Sequence, residues 1–252
     1  MIEVDNARLG LLKAINFIYP QQKEKSIQKS SDLTGNIYGE FTYISDSAKI
    51  KNNVKIGHNC SINDNVLIGN NVIISHNVTI YDNVVIGDDT IIQSGAVIGS
   101  DGFGTVKDGD RHLNLPHIGK VILGKEVWIG SNTTIDRGSI GDTIIGDNTK
   151  IDNLIQIAHN VSIGKSCLIA SGVAIAGTTI IGDNVSIGGQ VGIVGHLSIG
   201  DNSIIGAQSL VTKSFGKGVF VSGNPARLHK DRIKQDIALR KLPNIIKDKK
   251  NS

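Results

Sequence analysis

Isoleucine returns at every sixth position from Ile44 to Ile98 without a break. Two positions before each stands a small or β-branched residue, among them Thr42, Ala48, Val54, Cys60 and Ala96. The series resumes at Leu123, Ile129 and Ile135, and again at Ile145, from which it runs to Ile205 and Val211. A period of six does not fit the 3.6-residue repeat of a helix. Apolar residues at i−2 and i, followed by Asp, Asn or Gly, predict a short strand and then a turn. Three such hexads close one triangular coil of 18 residues, and stacked coils form an all-β parallel β-helix whose interior is filled by isoleucine. Three segments are expected: residues 1–38, with a short amphipathic helix in "ARLGLLKAINFIY"; the β-helix at 39–214; and a C-terminal extension at 215–252. The extension starts with the turn-rich "FGKGVFVSGNPAR" and continues as a basic helix expected to break at Pro243.

The repeat is interrupted twice. Ile98 and Leu123 are 25 positions apart where six are due, which defines an inserted loop at 99–121, and Ile135 and Ile145 are ten apart. Counting three hexads per coil stacks Ile98, Ile135, Ile157, Ile175, Ile193 and Val211. The corner that follows them is then one vertical edge carrying Ser100, Arg137, His159, Gly177, Gly195 and Lys213. Both insertions leave from this edge. His196, beside Gly195, lies two layers above His159, roughly 10 Å away at the strand spacing. Ala176-Gly177 and Val194-Gly195 leave a narrow apolar groove above His159, suited to a long thin ligand such as pantetheine or an acyl chain. His58 and His76 stack on a different edge and read as turn residues, while His112 and His117 lie in the long loop within reach of a substrate.

Composition narrows the chemistry. Aromatics make up only 4% of 252 residues and glycines number 30, so the core rests on Ile and Val. Cys60 and Cys167, at i−2 positions, read as buried fillers, with neither a disulfide framework nor a zinc spacing. The first residues lack the basic-then-apolar order of a signal peptide, and no apolar run approaches the ~20 residues of a membrane span, so a cytoplasmic protein is expected. Net charge is +3, but Arg227 to Lys250 is strongly basic, either a solvated face or a docking surface for an acidic partner. A neutral imidazole on the shared edge can serve as a general base near pH 7. Two histidines could also begin a metal site, but no Asp, Glu or Cys completes a ligand set on that edge, and no metal is expected. "GSDGFG" lacks the following helix and lysine of a phosphate loop.

The stretches "GAVIGSDGFG", "PHIGKVILG", "VWIGSNTTIDRGSIGDTIIGD", "KIDNLIQIAHNVSIG", "GGQVGIVGHLSIG" and "VSGNPAR" resemble the bacterial UDP-3-O-acylglucosamine N-acyltransferases of lipid A synthesis, from about Val4 to Ile246. The resemblance implies a left-handed winding, against the usual crossover rule, and a homotrimer with active sites between subunits. It implies transfer of a (3R)-hydroxyacyl chain from the phosphopantetheine thioester of acyl carrier protein to the 2-amine of a UDP-3-O-acyl-glucosamine, without a bound cofactor. His159 in "IAHN" corresponds to the general base, the Gly177 N–H to the oxyanion donor and His196 to a second active-site histidine. Asp101, Phe103, Arg137, Asp152, Gly195 and Leu210 are assigned to substrate, Leu210 as the floor for the acyl chain. The basic tail would meet the acidic carrier protein; nucleic acid and membrane-spanning segments have no place in the scheme. The family also carries an N-terminal uridine-binding domain, of which only the closing helix is expected here. A nucleotide-amino-sugar N-acetyltransferase using acetyl-CoA, or a non-catalytic trimeric scaffold, are the alternatives.

Overall fold

The computed structural model describes residues 35–250. They form a left-handed parallel β-helix of about ten coils, followed by one helix, His229–Lys250. The helix expected in "ARLGLLKAINFIY" lies outside the described residues. Three sheets make the walls, with 11, nine and eight strands, and strands adjacent in each sheet come from successive coils. Most strands are two residues long, because the chain must turn a corner after every hexad. The turn is made by a residue with positive φ three places after each inward isoleucine, such as Asn59, Asn77, Asn148, Asn160 and Asn202. Asn tolerates this left-handed conformation better than most side chains, which explains its recurrence.

The register is the one the hexad count requires. Ile98 pairs with Ile135, Ile135 with Ile157, Ile157 with Ile175, Ile175 with Ile193 and Ile193 with Val211. Cys60 and Cys167 are buried in the same column system, and burial pushes both thiols up. Ile135 is fully buried between the two insertions. Its truncation to alanine leaves a cavity that rigid neighbouring coils cannot close, so Ile135→Ala is expected to cost ~2–5 kcal/mol in denaturant unfolding.

The structure departs from the sequence reading in four places. The solenoid starts earlier, with Ile37–Tyr38, where Tyr38 takes the inward position opposite Ile56. It also ends later. Phe215 bridges to Ile199, and Phe220–Ser222 pairs with Ile204–Ile205 through the buried Val221, although the six-residue spacing is lost. Pro243 does not break the helix: it lies inside His229–Lys250, on an exposed stretch where water can satisfy the carbonyl that loses its N–H partner. Finally, Ser100 is out of step by one. The strand Val97–Ser100 bulges at Gly99, which has φ +89°, so Ser100 pairs with Asp136 instead of Arg137. Within the inserted loop, Thr105–Asp108 and Arg111–Asn114 form an exposed antiparallel hairpin.

Candidate active site

A repeating corner bond is the background against which the site stands out. Two places after the inward isoleucine, a side-chain acceptor takes the backbone N–H of the same corner one coil below. Asp82 Oδ1 takes Asp64 N–H, Asp147 Oδ1 takes Lys125 N–H and Asp201 Oδ1 takes Asp183 N–H. His58 and His76 do the same with Nδ1, accepting from Glu40 N–H and His58 N–H at 2.8 and 2.9 Å, with their rings stacked 5.2 Å apart. Their Nδ1 atoms therefore carry lone pairs, and their Nε2 atoms carry the protons. These two histidines are part of the frame.

His159 occupies the equivalent corner position but is excluded from this ladder. The N–H below it, on Arg137, is already bonded to Ser100 O. The four extra residues after Ile135 instead bring Ser139 and Gly141 against Asn160. Asn160 Oδ1 accepts from the N–H and hydroxyl of Ser139 at 3.0 and 2.8 Å, and its Nδ2 donates to Gly141 O at 3.1 Å. A backbone N–H can only donate, so the amide orientation is fixed. His159 Nδ1 lies 3.0 Å from Asn160 Oδ1 and must donate to it. The proton thus sits on Nδ1, and Nε2 keeps a free lone pair, the reverse of His58 and His76.

That free nitrogen faces the next coil at Gly177. A Cβ on Gly177 would stand 2.7 Å from both Cε1 and Nε2 of His159. The φ of Gly177 is not in the left-handed region, so close approach, not turn geometry, demands glycine here. On the other side, a Cβ on Gly102 would meet His159 Cβ at 2.9 Å and Cδ2 at 3.2 Å. The imidazole is thereby held between two glycines. Because Gly177 and Gly195 lack side chains, the corner ladder has no acceptors above His159. Among the described residues, the N–H groups of His159, Gly177 and Gly195 have no hydrogen-bond partner. Unpaired backbone N–H groups beside a free Nε2 can receive a developing oxyanion.

Asp136 completes the polar surroundings. It is buried, accepts from Ser100 Oγ at 3.2 Å and from Gln156 Nε2 at 2.9 Å, and faces His159 and His117. Burial pushes its carboxyl above the usual range, and the two hydrogen bonds and the nearby histidines pull it partly back. Sequence spacing alone did not single out Asp136, Asn160 or Gly102; the emergence of "DRG" at the start of the short insertion was the available hint.

The remaining assigned residues divide. Asp101 and Phe103 flank Gly102 and are exposed beside the imidazole. His196 is exposed at φ +61°, and its N–H donates to Gly177 O at 3.1 Å, which orients the peptide after Gly177. The Arg137 guanidinium is turned away from open space: Nε donates to Gly99 O at 2.6 Å, Nη2 to Asp82 O at 3.0 Å, and Asp101 stands 3.9 Å from Nε. It closes the root of the long loop. Asp152 is on another corner, following Ile151, and its Oδ2 accepts from Ser171 N–H. Leu210 is the upper end of a groove of about 450 Å³ on the wall above His159, formed by Ala158, Ala174, Ala176, Gly192 and Val194. Among the described residues no three His, Cys, Asp or Glu side chains cluster as metal ligands, and no helix is long and apolar enough to cross a membrane.

Comparison with known proteins agrees with this geometry. The bacterial transferase hexapeptide family matches residues 41–76, 65–100, 142–177 and 178–213, leaving out 101–141, which holds most of both insertions. The UDP-3-O-acylglucosamine N-acyltransferase 1 of Gloeobacter violaceus is 53% identical over 153 residues, 61% of this chain and 44% of that protein. The UDP-3-O-acylglucosamine N-acyltransferase of Fusobacterium nucleatum is 59% identical over 153 residues, 61% of this chain and 46% of that protein. The matched stretch thus spans less than half the length of these relatives. The crystal structure of the UDP-N-acetylglucosamine O-acyltransferase of Moraxella catarrhalis superposes with a TM-score of 0.68 at 30% identity, covering 79% of this chain and 77% of that one. With the repeat, the register and the family match in agreement, this chain belongs to the bacterial hexapeptide-repeat transferases.

Proposed function

We propose that the chain is an N-acyltransferase of lipid A synthesis, which moves a (3R)-hydroxyacyl chain from the phosphopantetheine thioester of acyl carrier protein to the 2-amine of a UDP-3-O-acyl-glucosamine. The observation that carries this reading is the reversed tautomer of His159, with its free Nε2 against Gly177. The amine nitrogen attacks the thioester carbonyl while Nε2 of His159 takes one of its protons. The carbonyl oxygen, now negative, is received by the Gly177 N–H. Collapse of the tetrahedral intermediate breaks the C–S bond, and the departing thiolate takes the proton back from His159. The products are an amide and a free thiol. Asn160 holds the imidazole in the tautomer that makes this possible and stabilises the imidazolium through the Nδ1–H bond.

The groove supports a long acyl chain over acetyl. Its wall is lined by small residues across three coils until Leu210 leans over Gly192, where a Cβ would meet Leu210 Cδ1 at 3.4 Å. Three strand spacings correspond to ~14 Å of apolar track. The nine basic residues between Arg227 and Lys250 suit the acidic carrier protein, and a homotrimer would close the groove from its open side.

The test is direct. The protein is incubated with hydroxyacyl carrier protein or acetyl-CoA and a panel of UDP- and dTDP-amino sugars, and thiol release is followed. Turnover with the hydroxyacyl donor and the UDP-3-O-acyl-amino sugar is expected; turnover with acetyl-CoA alone would overturn the long-chain reading. Leu210 gives a second measurement. Leu210→Ala should shift the preference toward longer donors and Leu210→Trp toward shorter ones, by about fourfold per methylene in competing kcat/KM values.

A further inference from the structure

His117 is a buried histidine for which the repeat has no use. It lies in the long loop, is 5% exposed, and its Nδ1 is 2.9 Å from Leu115 O. A carbonyl oxygen accepts, so Nδ1 of His117 carries the proton and Nε2 carries a lone pair. That Nε2 is the one buried side-chain polar atom among the described residues with no hydrogen-bond partner. Leaving a buried acceptor unpaired costs free energy, so such a group calls for an explanation.

Its position supplies one. The His117 and His159 rings meet edge to face, with centroids 5.3 Å apart and planes at 63°. His117 Nε2 and His159 Cδ2 lie 3.0 and 3.2 Å from the same point, the site a Cβ on Gly102 would take. The glycine is what lets the two rings approach. Cδ2 is bonded to Nε2 of His159, the atom that would receive the proton. When the imidazole is neutral, its ring C–H groups are weak donors; when it becomes imidazolium, the positive charge spreads over them. The unpartnered lone pair of His117 therefore has little to accept in the resting state and more as the charge develops. Asp136 also faces both rings and acts on a charged His159 through space, with its oxygens bonded to Ser100 and Gln156. The Arg137 guanidinium is bonded to carbonyls, and Asp101 is exposed, so His117 supplies the unpartnered acceptor at the ring edge.

We infer that His117 is a positioning residue for the reaction: it packs against the His159 ring and turns its Nε2 lone pair toward the imidazolium that forms there. This rests on the reading of His159 as the base. The interaction is absent or weak in the ground state, so it acts on turnover more than on substrate binding.

The test uses His117→Phe, which keeps a flat ring but removes the lone pair, and His117→Gln, whose carbonyl can accept in its place. Histidine-ring nitrogen NMR on the folded protein without substrate checks that His159 keeps its Nδ1–H tautomer in both variants. With substrates, His117→Phe should lower kcat about fivefold and leave KM within twofold, and His117→Gln should largely restore kcat. An unchanged kcat in His117→Phe would overturn the inference. So would equal losses in both variants accompanied by a lower melting temperature, which indicate packing alone. Full turnover in His159→Gln would instead remove the base assignment, and this inference with it.

Discussion

His159→Ala is expected to reduce kcat by about 10²–10⁴-fold while changing unfolding free energy by no more than about 1 kcal/mol. The two parts of this expectation come from the same fact. His159 stands at a corner where other residues hold the coil below, yet its Nδ1 is bonded within its own corner, to Asn160. Removing the imidazole breaks no inter-coil bond, and Asn160 keeps its contacts to Ser139 and Gly141. What is lost is the Nε2 lone pair set beside Gly177, whose N–H has no partner among the described residues. His76→Ala makes the opposite comparison. It removes the acceptor of His58 N–H and the stacked ring, so stability should fall by about 1 kcal/mol with turnover unchanged. Steady-state kinetics and denaturant titration of the two variants check both halves. Equal kinetic losses in the two would mean that His159 acts through the fold.

Gly177→Ala is the second large effect. The added methyl would lie 2.7 Å from Cε1 and Nε2 of His159, closer than real contacts allow, and the imidazole is the part free to yield. Rotation of the ring would carry Nε2 away from the position of the amine in the proposed reaction, while the backbone N–H stays where it was. A displacement of about 1 Å at a reacting atom costs on the order of a hundredfold in rate, so kcat should fall by about that amount. Stability should be unaffected or slightly raised, since φ at this position suits alanine and the unfolded chain loses freedom. Gly216→Ala serves as the control: a Cβ there meets nothing within 4 Å, and its φ is not left-handed. If Gly177→Ala unfolds the protein while Gly216→Ala does not, close packing between coils, not alignment of the base, is the reason for the glycine.

The fold was legible where one residue type marks one geometric position. Ile98, Ile135, Ile157 and Ile175 stack as the spacing requires because each inward position needs a side chain of the same shape, even across two insertions. The ends were less legible. Tyr38 and Phe215 fill the same columns with aromatic side chains, where partial burial at the ends of the solenoid relaxes the choice, and the fully buried Val221 does so at irregular spacing. Ser100 slipped by one because a bulge at Gly99 leaves no trace in a hexad count. At the site, His159 was visible because it shares an edge with both insertions. Asn160 was not, since Asn is the ordinary left-handed residue at that place in the turn. Its distinct role arises only when the short insertion presents Ser139 to its side chain. Arg137 shows the reverse case: a cation beside the site that is turned to the Gly99 and Asp82 carbonyls through Nε and Nη2, as only coordinates reveal.

The empty corner above His159 has a geometric consequence. A parallel solenoid repeats itself by translation, so height along its axis is a measure of length. In the reaction proposed above, the base would fix the zero of that scale, and the free N–H groups of Gly177 and Gly195 would mark the first two divisions, each ~4.8 Å. The chain length that fits would then be the number of divisions between the imidazole and Leu210. Transplanting the His-Asn corner up by one coil of 18 residues would move the chemistry by one division and shorten the accommodated chain by the same distance. In such a scaffold, catalytic position and substrate size are one variable.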